Sequence, residues 1–421
     1  MTTDNVIKVN LWGETIGALF LNPDTLQTFF EFEPNYKSKE RLLAPLTMPF
    51  PKVDKRIFGP YYDQINDPFN GLPSMIADSL PDSYGSAVIR KYLIENGHSE
   101  IITPIRFLSY IGTRGMGALE FIPASKKNEK GLIDTDLSNL ANLSNAIIED
   151  RKDSFKITKE DLFKLFQFST SAGGAKPKAI LSFNKNKNIY SYPYQHKDGF
   201  TPLIIKFDGL NDKGISHDSG RIEYIYYKMA IKCGIKMTSC GFFNDSTKSH
   251  FYTTRFDRTI DGEKLHMQTL AGLTGLNPRL LHNYDVVFDT ILKLGLSQAD
   301  LKQQFKILVF NYLSSNDDYH IKNISFLMDK NGQWSLSPAY DITFPYQVTN
   351  IWVRTQPLSI NGKVKNIEDA DFLTIAKKYG IKHPLKIIAT IKEELGQFKA
   401  LAQKYQLPEY KAQKVESCFR F

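Results

Sequence analysis

Apolar and polar residues alternate with the two-residue period of a β-strand at the start of the chain. The alternation covers Val6 to Leu21 and Leu26 to Phe32, and the turn residues Asn22-Pro23-Asp24 separate the two runs. Further along, a helix is predicted over Gly85 to Glu95. The pattern therefore predicts a small β-rich module with helices packed on its strands.

Two further strands are predicted to complete this module. They lie near Arg106 to Tyr110 and near Gly117 to Pro123, and a polar stretch from Ser125 to Leu132 follows them. Such a stretch is typical of a connection between domains. We therefore predict a first domain over residues 1–125.

Helical and strand patterns alternate through the rest of the chain. Two helices come first, with Leu137, Leu140, Leu143 and Ile147 in one and Leu162, Leu165 and Phe166 in the other. The later elements are strands at Ala179 to Phe183 and Pro202 to Phe207, a helix with Ile222, Ile225, Met229 and Cys233 on its apolar face, a strand at Phe251 to Arg258, and helices at Ala299 to Ser315 and between Ile367 and Leu407. We predict a second domain over 126–258 and a largely helical third over 259–421.

The segment from Asn316 to Asn323 carries the first candidate chemistry and reads Asn-Asp-Asp-Tyr-His-Ile-Lys-Asn. Asp318 and Asn323 are five residues apart. This is the D-x-x-x-x-N spacing of a kinase catalytic loop, in which a carboxylate lies near the attacking hydroxyl and an amide oxygen binds magnesium. Taken alone, the spacing is more typical of a solvated polar turn.

A short hairpin after this loop supplies a second candidate metal ligand. Residues Ile324 to Met328 and Trp334 to Tyr340 alternate like paired strands, and Asn331-Gly332 is the preferred pair for a two-residue type I′ turn. Antiparallel pairing brings Asn323 and Asp341 to the same end of the hairpin. Magnesium prefers hard oxygen ligands and takes only one or two from protein, so the hairpin favours a metal site over the polar turn.

A glycine-containing loop precedes the first strand of the second domain. It runs from Ser169 to Lys178 and reads Ser-Thr-Ser-Ala-Gly-Gly-Ala-Lys-Pro-Lys. The adjacent Gly173 and Gly174 permit backbone conformations closed to other residues and let amide groups approach a phosphate. The loop is neither a Walker A loop nor a G-x-G-x-x-G sequence, so on its own it is more often a tight turn than a nucleotide loop.

One lysine, Lys206, lies in the apolar strand Pro202 to Phe207. It needs an anionic partner there, because desolvating an unpaired ammonium is costly. A kinase offers it nucleotide phosphate and a glutamate on the following helix, where Glu223 lies in the first turn. The alternatives are an edge-strand lysine that reaches water and a glutamate that only stabilises a helix N-terminus.

Composition is compatible with a soluble protein. No apolar run among the 421 residues approaches the roughly 20 needed to span a bilayer, and no targeting segment is visible. Cys233, Cys240 and Cys418 show neither metal-ligand spacing nor a disulfide framework. We expect a cytoplasmic protein.

The chain has a formal charge of +8, from 53 basic and 45 acidic residues, and its lysines are dense in the C-terminal third. A field of this sign favours polyanionic partners. The alternative is a set of solvated helix faces.

Together these motifs resemble the HipA-type serine/threonine kinases, which are toxins of bacterial type II toxin–antitoxin systems. The resemblance also includes the N-terminal stretch Leu72 to Asp82 and so covers nearly the whole chain. It is carried by Ser171 to Lys178, Ile205-Lys206, Arg255 to Arg258, Asp318 to Asn323 and Pro338 to Asp341. It implies an α+β, bilobal, protein-kinase-like fold with a small β-rich N-terminal subdomain and an all-helical C-terminal part.

The resemblance also implies roles for individual residues. Lys206 would hold the α- and β-phosphates of ATP, and Asn323 and Asp341 would bind Mg²⁺. Asp318 would be the catalytic base or the carboxylate that orients the attacking hydroxyl. Glu223 would pair with Lys206, and Ser171 or Ser169 would be autophosphorylated. Further contacts to ATP are expected from Gly173, Gly174, Ala175, Lys176, Lys178, Thr254, Phe256, His320 and Lys322.

The expected reaction is phosphorylation of a protein serine, by family analogy in an aminoacyl-tRNA synthetase. The expected partner is a HipB-like helix-turn-helix antitoxin, through which operator DNA would be bound, and no membrane is involved. Two alternatives remain open from the sequence. One is a small-molecule phosphotransferase, whose loop also contains a histidine as at His320. The other is a non-catalytic partner and co-repressor of a DNA-binding antitoxin.

Overall fold

The structure, a computed structural model, describes most of the chain. The described residues are 5–36, 41–50, 52, 55–64, 67–97, 102–123, 137–148, 157–169, 176–184, 189–190, 198–209, 217–245, 248–345 and 357–421. Among them, no helix is both long and apolar enough to cross a membrane.

The N-terminal module is built on a five-stranded antiparallel sheet, as the alternating pattern predicts. Its strands lie in the order β4-β3-β2-β1-β5. They are β1 (Val6–Leu11), β2 (Glu14–Leu21), β3 (Gln27–Phe32), β4 (Ile57–Tyr62) and β5 (Leu119–Ile122). The short helix α1 (Ser74–Ala77) and one face of α3 (Pro104–Ile111) are buried against this sheet. Met328, from a hairpin in the C-terminal region, lies in the same core.

The segment predicted as a strand near Arg106 to Tyr110 is helical, so that prediction was wrong. Thr103 caps α3 by accepting a hydrogen bond from the backbone N–H of Arg106, and Pro104 occupies the first turn. Both are start signals for a helix. β5 therefore pairs with β1 instead of with this segment.

A second five-stranded sheet forms the middle of the molecule, in the order β7-β6-β8-β10-β9. Its strands are β6 (Lys178–Asn184), β7 (Ile189–Tyr190), β8 (Phe200–Lys206), β9 (Cys240–Asp245) and β10 (Lys248–Thr254). The predicted strand over Phe251 to Arg258 ends at Thr254. Helices α2 (Ser83–Glu95), α4 (Leu137–Ile148) and α5 (Lys159–Ser169) share one core with this sheet. The helix α2, although it lies in the N-terminal segment, thus belongs to the second core.

The C-terminal part is mainly helical and shares its core with α6 (Ser219–Lys232). It contains β11 (His266–Thr269), α7 (Leu270–Thr274), β12 (His282–Asn283), α8 (Asp285–Lys293), α9 (Gln298–Leu313), β13 (Ser325–Met328), β14 (Trp334–Leu336), β15 (Leu358–Ser359), α10 (Asp369–Lys378), α11 (Pro384–Leu395), α12 (Phe398–Lys404) and α13 (Glu409–Glu416). The described part after β15 is all-helical, as expected. The segment that contains Asp318 follows directly after the helix α9.

The hairpin of β13 and β14 forms, but its turn differs from the predicted one. Met328 pairs with Trp334, so five residues connect the strands instead of two. Within the turn only Gly332 has a positive φ, of 81°, and the side chain of Asp329 accepts hydrogen bonds from the backbone N–H groups of Asn331 and Gln333. The aspartate before the turn therefore stabilises a longer loop than the Asn-Gly pair predicts.

Candidate active site

Lys206, Glu223 and Asp341 meet where the middle sheet faces the C-terminal part, a region that we call the cleft. Lys206 ends the central strand β8, and its ammonium donates a hydrogen bond of 2.6 Å to the carboxylate of Glu223 on α6. It also donates to the carboxylate of Asp341, five residues after β14. The side chains of Lys206 and Glu223 are only 18% and 5% exposed. Neither residue is therefore the solvated strand lysine or helix-end glutamate of the alternative interpretations.

Lys206 and Asp341 favour each other's ionised form, whereas burial has the larger effect on Glu223. Burial opposes the charge of Lys206, but the two carboxylates outweigh it and raise the pKa of the ammonium. Burial also works against the charge of Asp341, yet Lys206 holds the pKa of this carboxyl below its ordinary value. Burial raises the pKa of Glu223, and Lys206 opposes that rise. The cleft thus contains two carboxylates joined by one ammonium.

Asp341 has an unusual backbone conformation. Its φ is 52°, in the left-handed region that few residues other than glycine adopt. The side chain of Asn316 donates a hydrogen bond of 3.0 Å to its carbonyl oxygen. Backbone strain of this kind is concentrated at functional sites, and here it occurs at the predicted metal ligand.

Lys178 lies beside Lys206, on the neighbouring strand β6, and the two residues are cross-strand partners. Its ammonium is 3.0 Å from the carboxylate of Asp82, and the two side chains are 3% and 8% exposed. Burial lowers the pKa of Lys178, while Asp82 and then Asp341 oppose this effect. The charge of Lys178, a predicted ATP contact, is therefore paired with a residue of the N-terminal segment.

Asp318 lies at the exposed edge of the cleft, and the backbone of Asp318 orients the side chain of Asn323. The side-chain amide of Asn323 donates a hydrogen bond of 3.0 Å to the carbonyl oxygen of Asp318. Asp318 is exposed on its outer side, yet partial desolvation by the surrounding protein raises the pKa of its carboxyl, and Asp341 adds to this while His320 opposes it. Burial lowers the pKa of His320, against the attraction of Asp318 and Asp341. The predicted base and metal ligands therefore interact.

The two adjacent aspartates of the loop have different environments. Asp317 is buried and forms an ion pair with Arg420, whose Nη1 lies 2.7 Å from its Oδ1. Arg420 also donates to the carbonyl oxygen of Tyr312 at the end of α9. Asp317 thus anchors the loop, and of the two aspartates only Asp318 faces the cleft opening.

Tyr340 connects the loop, the hairpin and the segment after β10. Its hydroxyl donates a hydrogen bond of 2.8 Å to the carbonyl oxygen of Lys322 and lies 2.6 Å from the hydroxyl of Ser325. Its ring is 5.4 Å from that of Phe256. Thr254 is the last residue of β10, and its N–H donates to the carbonyl of Ser239. Phe256 and Lys322 are therefore tied to the loop and hairpin through Tyr340.

Most of the predicted glycine loop lies outside the described residues. This applies to Ser171, Gly173, Gly174 and Ala175, while Ser169 is the last residue of α5 and its side chain is not described. Lys176 is described and exposed. Its charge opposes the rise in the pKa of Glu223 and Asp318 that burial causes, and it adds to the lowering of the pKa of Asp341 by Lys206. Lys176 therefore lies on the side of the cleft where these carboxylates are.

The donor set fits a magnesium ion that is completed by phosphate and water. No cluster of three His, Cys, Asp or Glu side chains suited to a metal occurs among the described residues. Asp341 supplies a carboxylate, and Asn323 supplies an amide oxygen because its nitrogen is already hydrogen-bonded. One or two protein oxygens are typical of magnesium at nucleotide sites.

Sequence reasoning did not identify Asp82 or Asp78 as residues near the site. Asp82 binds Lys178 across 96 positions of sequence, and Asp78 accepts hydrogen bonds from Thr269. Both lie in the Leu72 to Asp82 stretch that carries part of the family resemblance. The signal that could have indicated these residues is a pair of carboxylates in a stretch that is otherwise mainly apolar and proline residues.

Two family models match the chain. The model of the HipA N-terminal domain matches residues 7–122, and that of the HipA-like C-terminal domain matches residues 170–400. Among curated proteins, "Putative kinase Y4dM" of Sinorhizobium fredii is 31% identical over 162 residues, which are 37% of this chain and 38% of that protein. A "Putative kinase" of Haemophilus influenzae is 31% identical over 101 residues, 22% of this chain and 29% of its own length.

The matched stretches therefore span well under half of these two relatives. A solved structure covers much more: the complex of the Shewanella oneidensis toxin–antitoxin system, HipA with HipB and its operator DNA, matches with a TM-score of 0.64 at 17% identity. The match covers 98% of this chain and 95% of that one. It confirms the expected bilobal, kinase-like α+β fold. Because the C-terminal domain model alone covers more than half of the 421 residues, the chain belongs to the HipA family.

Proposed function

We propose that the protein is an ATP- and Mg²⁺-dependent serine/threonine protein kinase. The observation that carries the proposal is the meeting of Lys206, Glu223 and Asp341 in one cleft beside Asp318. A buried lysine held by a helix glutamate, next to a carboxylate on a metal-binding hairpin, is the arrangement that phosphoryl transfer requires. The kinase names of the two relatives agree with it.

In this proposal each residue has a distinct task. Lys206 exchanges its bond to Asp341 for the nucleotide phosphates and keeps its bond to Glu223, which fixes its position. Asp341 and Asn323 hold Mg²⁺, which supplies charge neutralisation at the phosphates when it is bound. Asp318 orients the hydroxyl of the acceptor and receives its proton, a task that suits its exposed position and raised pKa.

We further propose that the kinase acts as the toxin of a type II toxin–antitoxin system. Membership of the HipA family and the likeness to a HipA bound to HipB and operator DNA support this role. The partner would be a HipB-like antitoxin, and the substrate a serine in an aminoacyl-tRNA synthetase. Autophosphorylation at Ser171 or Ser169 would add charge beside the nucleotide phosphates and so oppose ATP binding.

The test is transfer of label from [γ-³²P]ATP with Mg²⁺ to the purified protein itself and to a panel of purified aminoacyl-tRNA synthetases. Wild type should label itself or a synthetase, and Asp318→Ala should label neither. Asp261→Ala is the matched control, because Asp261 is an exposed aspartate of the same lobe; it should label like wild type. Equal labelling by Asp318→Ala, or label transferred only to a small molecule such as an aminoglycoside, contradicts the proposal.

The toxin role has a separate test in cells. Expression of wild type without an antitoxin should arrest growth, and expression of Asp318→Ala at the same level should not. Growth arrest by both variants would show that the toxicity does not need phosphoryl transfer.

A further inference from the structure

The segment from Ser74 to Asp82 of the N-terminal module contacts both walls of the cleft. It comprises α1 and the turn that leads to α2. Its last residue, Asp82, contacts the middle sheet, while Ser74 and Asp78 contact the start of α7 in the C-terminal part. These contacts are buried or partly buried, so the segment is not a loose connection.

On the sheet side, Asp82 determines where the charge of Lys178 lies. Its Oδ2 accepts a hydrogen bond of 3.0 Å from Lys178, and its Oδ1 accepts one of 2.6 Å from the N–H of Gly85 at the start of α2. Lys178 is also attracted by Asp341, the carboxylate that Lys206 binds. Without Asp82, the ammonium of Lys178 would compete with Lys206 for Asp341.

On the opposite wall, Asp78 holds the junction of β11 and α7. Its Oδ2 accepts a hydrogen bond of 2.7 Å from the N–H of Thr269, and its Oδ1 accepts one of 2.8 Å from the Thr269 hydroxyl. The hydroxyl of Ser74 donates to the carbonyl of Gly272 at 2.7 Å. A Cβ at Gly272 would overlap the carboxylate of Asp78, so this close approach depends on glycine.

The same junction supports the candidate catalytic loop. The N–H of Leu270 donates to the carbonyl of Ile324 at 2.7 Å, and that of Ala271 donates to the carbonyl of Ile321 at 3.3 Å. These carbonyls flank Asn323. Asp78 holds the start of α7, and two backbone hydrogen bonds join the start of α7 to the segment around Asn323. Asp78 therefore helps to position the segment that carries the predicted metal ligand.

We propose that the Ser74 to Asp82 segment is a positioning element of the phosphate-transfer cleft, with Asp82 acting on nucleotide binding through Lys178 and Asp78 acting on turnover through the catalytic loop. The inference rests on the proposed kinase function. Neither aspartate is a catalytic residue. Each holds a group that faces the cleft, in the way that outer partners orient the ligands of a metal site.

The experiment measures kcat and KM for ATP from ADP release, together with the Kd of a fluorescent ATP analogue, which also gives the fraction of folded protein. Asp82→Asn removes the charge but keeps a residue that caps α2 equally well. It should raise KM and Kd about tenfold and leave kcat per folded molecule within about twofold. Lys178→Met should have its own effect, and Asp82→Asn should add nothing in that background.

Asp78→Asn and Gly272→Ala test the other wall. Each should lower kcat per folded molecule about tenfold and leave the Kd of the analogue within about twofold. Glu31→Gln is the control, because Glu31 forms an exposed ion pair with Arg56 in the same module; its constants should equal those of wild type.

The outcomes separate this inference from the proposed function. If wild type binds the analogue and releases ADP while Asp82→Asn and Asp78→Asn match Glu31→Gln, the positioning role is overturned and the kinase function stands. The role is also overturned if both variants lose only folded protein, with KM and kcat per folded molecule unchanged. If wild type neither binds the analogue nor releases ADP, the proposed function fails and the inference fails with it.

Discussion

Replacing Lys206 by methionine would remove the only ammonium that contacts both Glu223 and Asp341 among the described side chains. Methionine has a similar length but no charge. Two carboxylates would then lie together in the cleft, Glu223 with 5% of its side chain exposed and Asp341 with 30%. Like charges this close cannot both stay ionised at no cost, so the folded protein is expected to bind one extra proton.

The size of the effect follows from proton linkage. The unperturbed pKa of Glu223 is 4.5, and holding one carboxyl protonated above that value costs about 1.4 kcal/mol per pH unit. The largest expected loss in the free energy of unfolding of Lys206→Met is therefore about 2 kcal/mol at pH 6 and about 5 kcal/mol at pH 8. The second figure agrees with the roughly 3–5 kcal/mol lost when one partner of a buried ion pair is removed. In Lys206→Met, the pKa of one of the two carboxyls is higher in the folded than in the unfolded state. The stability of this variant relative to wild type should therefore fall as pH rises.

The assay is unfolding by urea at pH 6 and pH 8, followed by tryptophan fluorescence. Lys206→Met should lose roughly 2 kcal/mol at pH 6 and more at pH 8. The double variant Lys206→Met/Glu223→Gln should recover most of the loss and its pH dependence, because it has one carboxylate fewer. Lys399→Met, on the exposed face of α12, should match wild type. A loss below about 1 kcal/mol that is equal at both pH values would show that Lys206 does not neutralise a buried pair of carboxylates.

Three further predictions concern residues outside the Lys206, Glu223 and Asp341 cluster. Asp257 is buried between Arg255 and Arg258, which outweigh its burial and lower its pKa. Asp257→Asn should lower the free energy of unfolding by about 3–5 kcal/mol. The loss should be equal at pH 5 and pH 8, because the stability that comes from a lowered pKa is lost only in stronger acid. Asp318→Asn should abolish label transfer with an unchanged melting temperature, whereas Asp317→Asn should lower that temperature because Arg420 loses its partner. Gly220→Ala should destabilise by about 1–3 kcal/mol in urea unfolding, because the added Cβ meets the carbonyl of Ser249.

The central contacts of the site could be predicted from the sequence because each follows from a local pattern. Lys206 interrupts an apolar strand and so requires an anion, and Glu223 lies near the start of the next helix, just after its first turn. The hairpin brings Asp341 back to the loop at Asn323, since antiparallel pairing fixes which ends meet. The longer turn found at Asp329 did not change this, because the strands keep an antiparallel register.

Other features could not be predicted because they depend on packing between distant segments. The pairing of Asp82 with Lys178 joins residues 96 positions apart, and no local period indicates it. The apolar and aromatic residues between Arg106 and Tyr110 fit a strand as well as a helix, and the signal that decided the outcome was the Thr103-Pro104 start. The helix α2 packs in the second core. Which core contains this helix depends on the tertiary structure.

The most direct test of the proposed kinase is mass spectrometry of phosphopeptides after the purified protein has been incubated with a bacterial lysate and γ-¹⁸O-labelled ATP. With wild type, we expect label on serine or threonine of at least one protein, with Ser169 or Ser171 of the chain itself among the candidates. With Asp318→Ala we expect no labelled site above the lysate alone. Identical labelled sites with both variants, or none with wild type, would contradict the proposed kinase function.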